Sequence, residues 1–124
     1  MDSGNIVSTR QKGFEGEDKA CAYLISNGYE IIDRNYYTRF GEIDIIARKD
    51  KFLVFVEVKS LPHGDIDTLS YVLNKKKQQK IIKTSKCYLL KHRQYNYEYI
   101  RYDVLAIDVP VLDPVYHIEN AFSE

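Results

Sequence analysis

One apolar stretch near the middle of the chain constrains the fold more than any other part of this sequence. It is apolar for five residues, Phe52–Val56, and then ends in Glu57-Val58-Lys59. A short apolar run of this composition is typical of a strand buried in the centre of a sheet. Because strand side chains alternate between faces, Glu57 and Lys59 share one face. The sequence therefore predicts a central strand with an acid and an amine side by side at its end.

The preceding apolar segment also carries acids, Glu42 and Asp44. We expect the hairpin between the two strands to pair Ala47 with Phe52. In that register Glu42 lies opposite Glu57, and Asp44 is a diagonal neighbour of Glu57 on the same face. Ionised carboxylates gathered at the edge of a core are costly unless something compensates their charge. A divalent cation would compensate it.

The acids at the two strand ends suit phosphodiester hydrolysis. Asp44 and Glu57 offer the oxygen ligands that Mg²⁺ prefers. A bound cation polarises a phosphoryl oxygen and helps to generate hydroxide, and the amine of Lys59 can orient the water or neutralise developing charge. The alternative interpretation is structural: Glu57 and Lys59 leave the core together and form a salt bridge.

The formal net charge of zero hides a strongly asymmetric charge distribution. Residues 68–97 contain eight basic and no acidic side chains, whereas residues 1–67 contain nine basic and twelve acidic ones. Such a basic block is typical of a surface that binds a polyanion, here nucleic acid. The alternatives are a solvated helix face and a surface for an acidic protein partner. The lysines predicted to bind nucleic acid are Lys75, Lys76, Lys77, Lys80 and Lys83.

The remaining patterns predict a single α/β domain over residues 1–124, in which 1–12 and 113–124 are flexible or peripheral. The order is α-β-β-β-α-β, with a mixed four- to five-stranded sheet flanked by helices. The predicted elements are a helix over 14–27, strands over 29–38, 42–47 and 52–59, a helix through 69–89 and a strand over 99–109.

The sequence also predicts where the protein resides. Five consecutive apolar residues are far fewer than the roughly 20 that a membrane span needs, and the first residues contain no signal-like stretch. Cys21 and Cys87 have no Cys-x-x-Cys spacing, which favours reduced thiols. We expect a cytoplasmic protein with no membrane partner, whose metal ligands are oxygens.

The segment patterns together resemble a known family. Asp44 followed after twelve residues by Glu57-Val58-Lys59 resembles the PD-(D/E)xK, or restriction-endonuclease-like, nucleases, which include archaeal Holliday junction resolvases. The chain is more closely similar to the YraN-like family of predicted endonucleases. The segments that carry the resemblance are Gly13-x-x-Gly16-Glu17-x-x-Ala20, Gly28-Tyr29, Arg34-Asn35, Gly41–Ala47, Val54–Lys59, Lys77, Tyr88-Leu89, Arg101–Val104 and Asn120–Phe122.

The resemblance implies a role for each matching residue. Asp44 and Glu57 would hold Mg²⁺, or Mn²⁺ in its place, with the backbone carbonyl of Val58, and Lys59 would position or deprotonate the attacking water. Glu17 would complete the metal shell; the alternative is a glutamate placed by the helix dipole.

Two more positions have a role under the same resemblance. Lys77 would contact a phosphate, unless it is simply solvated. Glu42 would contact the metal-binding residues without binding the metal itself. Family members usually carry an arginine two residues after the lysine, where this chain has Leu61.

The resemblance therefore implies a metal-dependent endonuclease that acts on DNA, on branched or structured molecules. The alternative is a nucleic-acid-binding module that retains the nuclease fold without turnover. Cutting both strands of a symmetric junction requires two sites, and a homodimer with two-fold symmetry would supply them.

Overall fold

The computed structural model describes residues 9–60, 73–96, 98–108 and 115–124. Two α-helices and five strands form in these ranges. The elements are α1 (Thr9–Ser26), β1 (Glu30–Thr38), β2 (Gly41–Lys49), β3 (Phe52–Ser60), α2 (Lys75–Lys91), a short 3₁₀ turn (Arg93–Tyr95), β4 (Tyr99–Ile107) and β5 (Val115–Phe122). None of the helices in the described ranges is both long and apolar enough to cross a membrane.

The five strands form one mixed sheet in the order β1-β2-β3-β4-β5. β3 and β4 are parallel, and the other neighbouring pairs are antiparallel. The two sheet faces carry separate apolar clusters, one built around Leu24 of α1 and the other around Ile81 and Tyr88 of α2. One helix therefore covers each face, which confirms the predicted α/β class with its flanked mixed sheet. The fifth strand is β5, at the edge beside β4.

The helix ends follow from local chemistry. α1 ends before Gly28, whose φ of 87° is the left-handed conformation expected after a helix. The side chain of Asn74 caps α2 by accepting a hydrogen bond from the Lys77 N–H at 3.0 Å. The structure thus begins this helix at Lys75, and residues 69–72 of the predicted helix lie outside the described ranges.

The hairpin between β2 and β3 has a tighter turn than the sequence predicted. Asp50 has φ of 55°, a left-handed conformation that two-residue hairpin turns require. Lys49 pairs with Phe52, and Ala47 pairs with Val54. The predicted pairing of Ala47 with Phe52 is therefore wrong by two residues, because only two residues form the connection.

The corrected register improves the alignment of the acids. A shift of two residues keeps the paired residues, 45–49 and 52–56, on their predicted faces, since strand side chains repeat with a period of two. The predicted register placed Asp44 opposite Phe55 and Glu42 opposite Glu57. The observed pairing ends at Ile45 with Val56, so Asp44 and Glu57 are the next residue of each strand, and their charges repel each other. Two acidic side chains thus meet across neighbouring strands.

Candidate metal centre

A cavity of about 350 Å³ lies where β2 begins and β3 ends, between α1 and the first turns of α2. All four predicted catalytic residues line it, together with Val58 and Glu42. The described residues that line it are Gly16, Glu17, Gly41, Glu42, Asp44, Glu57, Val58, Lys59, Ser60, Lys77, Lys80 and Ile81. The fold therefore brings the predicted metal ligands and the predicted catalytic lysine into one place.

The cavity opens where β2 and β3 separate. Backbone pairing between the two strands ends at Ile45 and Val56. One residue further, the side chain of Asp44 replaces the backbone partner: its Oδ2 accepts a hydrogen bond from the Val58 N–H at 2.8 Å. This contact satisfies the backbone donor and fixes the carboxylate at the fork between the strands.

The alternation of β2 is interrupted around Asp44. Ile43 and Ile46 both pack in the cluster under α2, whereas Ile45 packs in the cluster under α1. In a regular strand Ile43 and Ile45 would share a face. Asp44 lies between Ile43 and Ile45. The interruption therefore turns its side chain away from the core and towards the fork where β2 and β3 separate.

The surroundings of Asp44 disfavour its charge. Burial and the nearby carboxylate of Glu57 raise the pKa of Asp44 to about 8, and Glu17 and Glu42 add smaller repulsions. The hydrogen bond from Val58 acts in the opposite direction and is outweighed. The site therefore favours the neutral form of this carboxyl, and a cation beside it would favour the charged form.

Two ammonium groups contact the buried acid opposite Asp44. Glu57 is 6% exposed, and its Oε1 lies 3.2 Å from Lys59 Nζ and 3.5 Å from Lys77 Nζ. Burial and the hydrogen bond with Lys77 lower the pKa of Lys59. Burial also disfavours the charge of Lys77, but the contacts with Lys59 and Glu57 outweigh it and raise the pKa of Lys77. Of the two amines, Lys59 therefore loses its proton more readily.

Glu17 reaches the cavity from α1. Its Oε1 is buried and has no hydrogen-bond partner among the described residues. The guanidinium of Arg34 lies 3.7 Å away and makes its closer contact, at 2.9 Å, with Asp18. Burial raises the pKa of Glu17 despite a hydrogen bond with Asn35 and the charge of Arg34. Glu17 therefore lines the cavity with a carboxylate that is largely shielded from solvent.

The donor set fits a hard cation that keeps part of its own water. Within the described ranges, no three acidic, histidine or cysteine side chains already converge into a closed metal cage. Mg²⁺ is commonly held by one or two carboxylates, with waters and substrate oxygens completing its shell. Asp44 and Glu57 would supply the carboxylates, and Glu17, which lines the same cavity, a third contact.

The structure divides the predicted lysine cluster. Lys77 and Lys80 line the cavity. Lys75, Lys76 and Lys83 are exposed and do not line it. Because a helix turns by 100° per residue, five lysines within nine positions cannot all face one cavity.

Arg39 and Phe40, directly before the cavity-lining Gly41, were given no role from the sequence. The guanidinium carbon of Arg39 lies 4.9 Å from the ring centre of Phe40, and Lys83 Nζ lies 5.7 Å from the same centre. Gly41 follows and lines the cavity. The sequence pattern that could have indicated them is an arginine followed by an aromatic residue directly before the acidic strand.

Comparison with known proteins identifies the family. The family model described as "Uncharacterised protein family UPF0102" matches residues 16–107. A UPF0102 protein of Persephonella marina is 45% identical over 112 residues, covering 90% of this chain and 93% of that protein. One from Treponema denticola is 40% identical, with 90% and 95% covered, and one from Campylobacter lari is 44% identical, with 83% and 91% covered. The residues that line the cavity lie within the matched range, and the chain belongs to the uncharacterised protein family UPF0102.

Proposed function

We propose that this protein is a metal-dependent endonuclease of the PD-(D/E)xK type that hydrolyses DNA phosphodiester bonds. The observation that carries the proposal is the meeting of Asp44 and Glu57 across the fork, beside the amine of Lys59. Opposed buried carboxylates without a cation are costly, and the pKa of Asp44, near 8, expresses that cost. Hydrolysis of a phosphodiester uses the same set: oxygen ligands for a metal and a nearby base.

Each residue has a distinct part in the proposed reaction. Asp44 and Glu57 would hold Mg²⁺ with Glu17 beside them, and the bound ion would polarise a phosphoryl oxygen and a water. Lys59, whose pKa burial and Lys77 lower, would accept the proton of the attacking water. Lys77 keeps its charge and would stabilise the negative charge that develops on the phosphate.

The electrostatics of the cavity walls support a polyanionic substrate. Lys77 and Lys80 provide positive charge on the α2 side, whereas the β2 and β3 side provides the metal ligands. A phosphate approaching along α2 would be drawn towards the carboxylates only when a cation masks them. The arrangement therefore couples substrate binding to metal binding, as a metal-dependent nuclease requires.

The test is cleavage of labelled linear, flap and four-way-junction DNA with Mg²⁺, Mn²⁺ or EDTA. We expect cleavage with either metal and none with EDTA. Asp44→Asn keeps an oxygen to accept the Val58 N–H, so this variant should fold normally and lose cleavage by about 10²-fold or more. Folded wild-type protein that cuts none of these substrates, or an Asp44→Asn variant that cuts normally, would contradict the proposal.

The second candidate is a DNA-binding module of the same fold without turnover. The observation that favours it is the pair of lysines already placed on Glu57, which balance its charge in the absence of a metal. Binding by such a module would weaken steeply with salt and would be unchanged by EDTA or by Asp44→Asn. Fluorescence anisotropy with and without Mg²⁺ separates the two candidates.

The proposal has two consequences at the level of assembly and location. A junction-cutting enzyme needs two sites, so we propose a homodimer, which sedimentation velocity with and without DNA would test.

We also propose a cytoplasmic location, where DNA is accessible and thiols remain reduced. Cys21 and Cys87 are both free in the structure.

A further inference from the structure

The loop end of the β1–β2 hairpin, residues 37–42, forms part of the cavity wall and has no assigned role. We call this segment the hairpin tip. Gly41 and Glu42 line the cavity. The tip lies tightly against α2, since a Cβ added at Gly41 would come within 3.2 Å of Lys80 Cβ. Its position beside the carboxylates is therefore fixed by packing.

The α2 side of the hairpin tip gathers positive charge. Arg39 and Lys83 both lie within 6 Å of the Phe40 ring centre, at 4.9 and 5.7 Å. The negative face of an aromatic ring attracts cations, so Phe40 holds the two side chains near each other. Lys80 lines the cavity next to them. Three cations from the hairpin and the helix thus place positive charge beside the cavity, where it would attract phosphates.

The other side of the hairpin tip presents a free aromatic ring. Tyr37 is 74% exposed. Its partner across the strands is Glu42, and directly opposed residues point to the same face. The ring of Tyr37 therefore shares a face with Glu42, which lines the cavity. Among the described residues it has no aromatic or cationic partner, so its faces are open to a ligand.

We propose that the hairpin tip binds an unpaired nucleotide next to the scissile phosphate. Tyr37 stacks on the base, and Arg39 and Lys83 bind the neighbouring phosphates. Bases within a continuous duplex are covered on both faces by their neighbours, so only an unpaired base can stack on a side chain. The substrate class is thus single-stranded or locally unpaired DNA, as at a flap or a branch point. This inference rests on the proposed function, because it places the substrate strand in the same cavity.

The experiment measures DNA binding in EDTA, so that its result is independent of cleavage. Fluorescence anisotropy is recorded for a labelled single strand and for the blunt duplex of the same sequence. Tyr37→Leu should weaken binding of the single strand by about tenfold, the loss of one stacked base, and leave duplex binding unchanged. Tyr37→Phe keeps the ring and should bind as the wild type does.

Tyr99→Leu is the matched control, and Arg39→Gln tests the phosphate contacts separately. Tyr99 is 64% exposed and lies at the opposite end of the sheet, paired with Phe52. Tyr99→Leu removes an equally exposed ring and should leave both affinities unchanged. Arg39→Gln should weaken the single strand and the duplex alike and reduce the salt dependence of both, because phosphate contacts do not distinguish them.

A second readout uses the wild-type protein with 2-aminopurine in the single strand. Stacking on Tyr37 should quench its fluorescence, and Tyr37→Leu should abolish the quenching. Unchanged single-strand affinity in Tyr37→Leu, or equal losses for single strand and duplex, would overturn the hairpin-tip inference while leaving the nuclease proposal standing. A folded wild-type protein that neither binds nor cleaves either DNA, in EDTA or with Mg²⁺, would overturn both.

Discussion

At the scale of single residues, the site is dominated by the cost of keeping Asp44 charged. Its carboxylate is held at the strand fork by one backbone donor, close to Glu57. Burial and that neighbour act in the same direction and raise its pKa from 3.8 to about 8. The residue that would be indispensable for the reaction is therefore a liability for the metal-free fold, an arrangement that is common at functional sites.

This cost predicts how stability depends on pH. A carboxyl whose pKa is raised on folding leaves stability intact below its ordinary pKa and lowers it progressively as the pH rises towards the folded value. Between about pH 4 and pH 8, the metal-free wild type should therefore lose stability through this group. Asp44→Asn should remove that loss and gain at least about 1 kcal/mol at pH 8.

Urea unfolding of metal-free protein at several pH values measures the effect. Asp33→Asn is the matched control, an exposed aspartate on β1 that faces solvent. It should retain the pH dependence of the wild type. If Asp44→Asn is no more stable than the wild type at pH 8, the carboxylates do not repel each other as the structure indicates.

At the scale of elements, α2 presents its lysines in two directions. Lys77 and Lys80 line the cavity, whereas Lys75 and Lys76 are exposed at the start of the helix. A sequence window records only that these lysines are close together. Their division into two groups follows from the position of the helix on the sheet, which depends on the burial of Ile81 and Tyr88.

The two groups of lysines should contribute unequally to DNA binding. Lys77→Gln with Lys80→Gln should weaken DNA binding by about tenfold or more at moderate salt and reduce the salt slope by about 0.9 for each phosphate that is no longer neutralised. Lys75→Gln with Lys76→Gln removes the same charge from the exposed side and should have a smaller effect. Equal losses in both double variants would show that binding depends on net charge alone. Anisotropy titrations over a range of salt concentrations measure both quantities.

At the scale of the whole molecule, a second buried acid joins three elements. Asp103 of β4 is fully buried and accepts hydrogen bonds from Arg101, from the backbone N–H of Asn120 and from the His117 ring. His117 in turn contacts Tyr23 of α1 at 3.0 Å. The network thus connects α1 and β5 to the centre of the sheet on the side away from α2.

This network predicts loss of stability in acid. Burial raises the pKa of Asp103, but the hydrogen bonds from His117 and Arg101 outweigh burial and lower it below its ordinary value of 3.8. The stabilisation is present above that value and is lost as the pH falls through the folded pKa. Asp103→Asn should cost about 3 kcal/mol or more in the free energy of unfolding at pH 7, because it leaves a buried guanidinium without its counterion.

The control is Asp108→Asn, which removes the exposed ion pair with Lys19 at 3.0 Å. Exposed pairs contribute at most about 1 kcal/mol. Chemical unfolding at pH 7 and at pH 3 compares the variants. Similar costs for both substitutions would mean that the buried network adds nothing beyond a surface pair.

Much of the architecture could be predicted from the sequence because local patterns encode it. The apolar run before Glu57 predicts the central strand, and the glycine at position 28 predicts the end of α1. The register of β2 against β3 could not be predicted, since it depends on the positive φ of Asp50. A pattern of residue types is compatible with more than one turn length.

The candidate site was predictable in composition and not in detail. Acids on two adjacent strands indicate a cation site, but the interruption of β2 around Asp44 arises from packing on both faces at once. The contact of Lys77 with Glu57 joins residues 20 positions apart through the placement of α2. Arg39 and Phe40 could not be connected with Lys83 from the sequence, because only folding brings Lys83 Nζ close to the Phe40 ring.

β4, which pairs in parallel with β3, follows α2 in the chain and is therefore synthesised later than the first three strands. β1, β2 and β3 are consecutive and joined by short turns, so this meander can assemble as soon as it leaves the ribosome. Asp44 and Glu57 can then approach each other before α2 packs on the sheet and brings Lys77 to Glu57. During that interval, free cellular Mg²⁺ would be available to neutralise the two acids, so the ion proposed for the finished site would also assist its assembly.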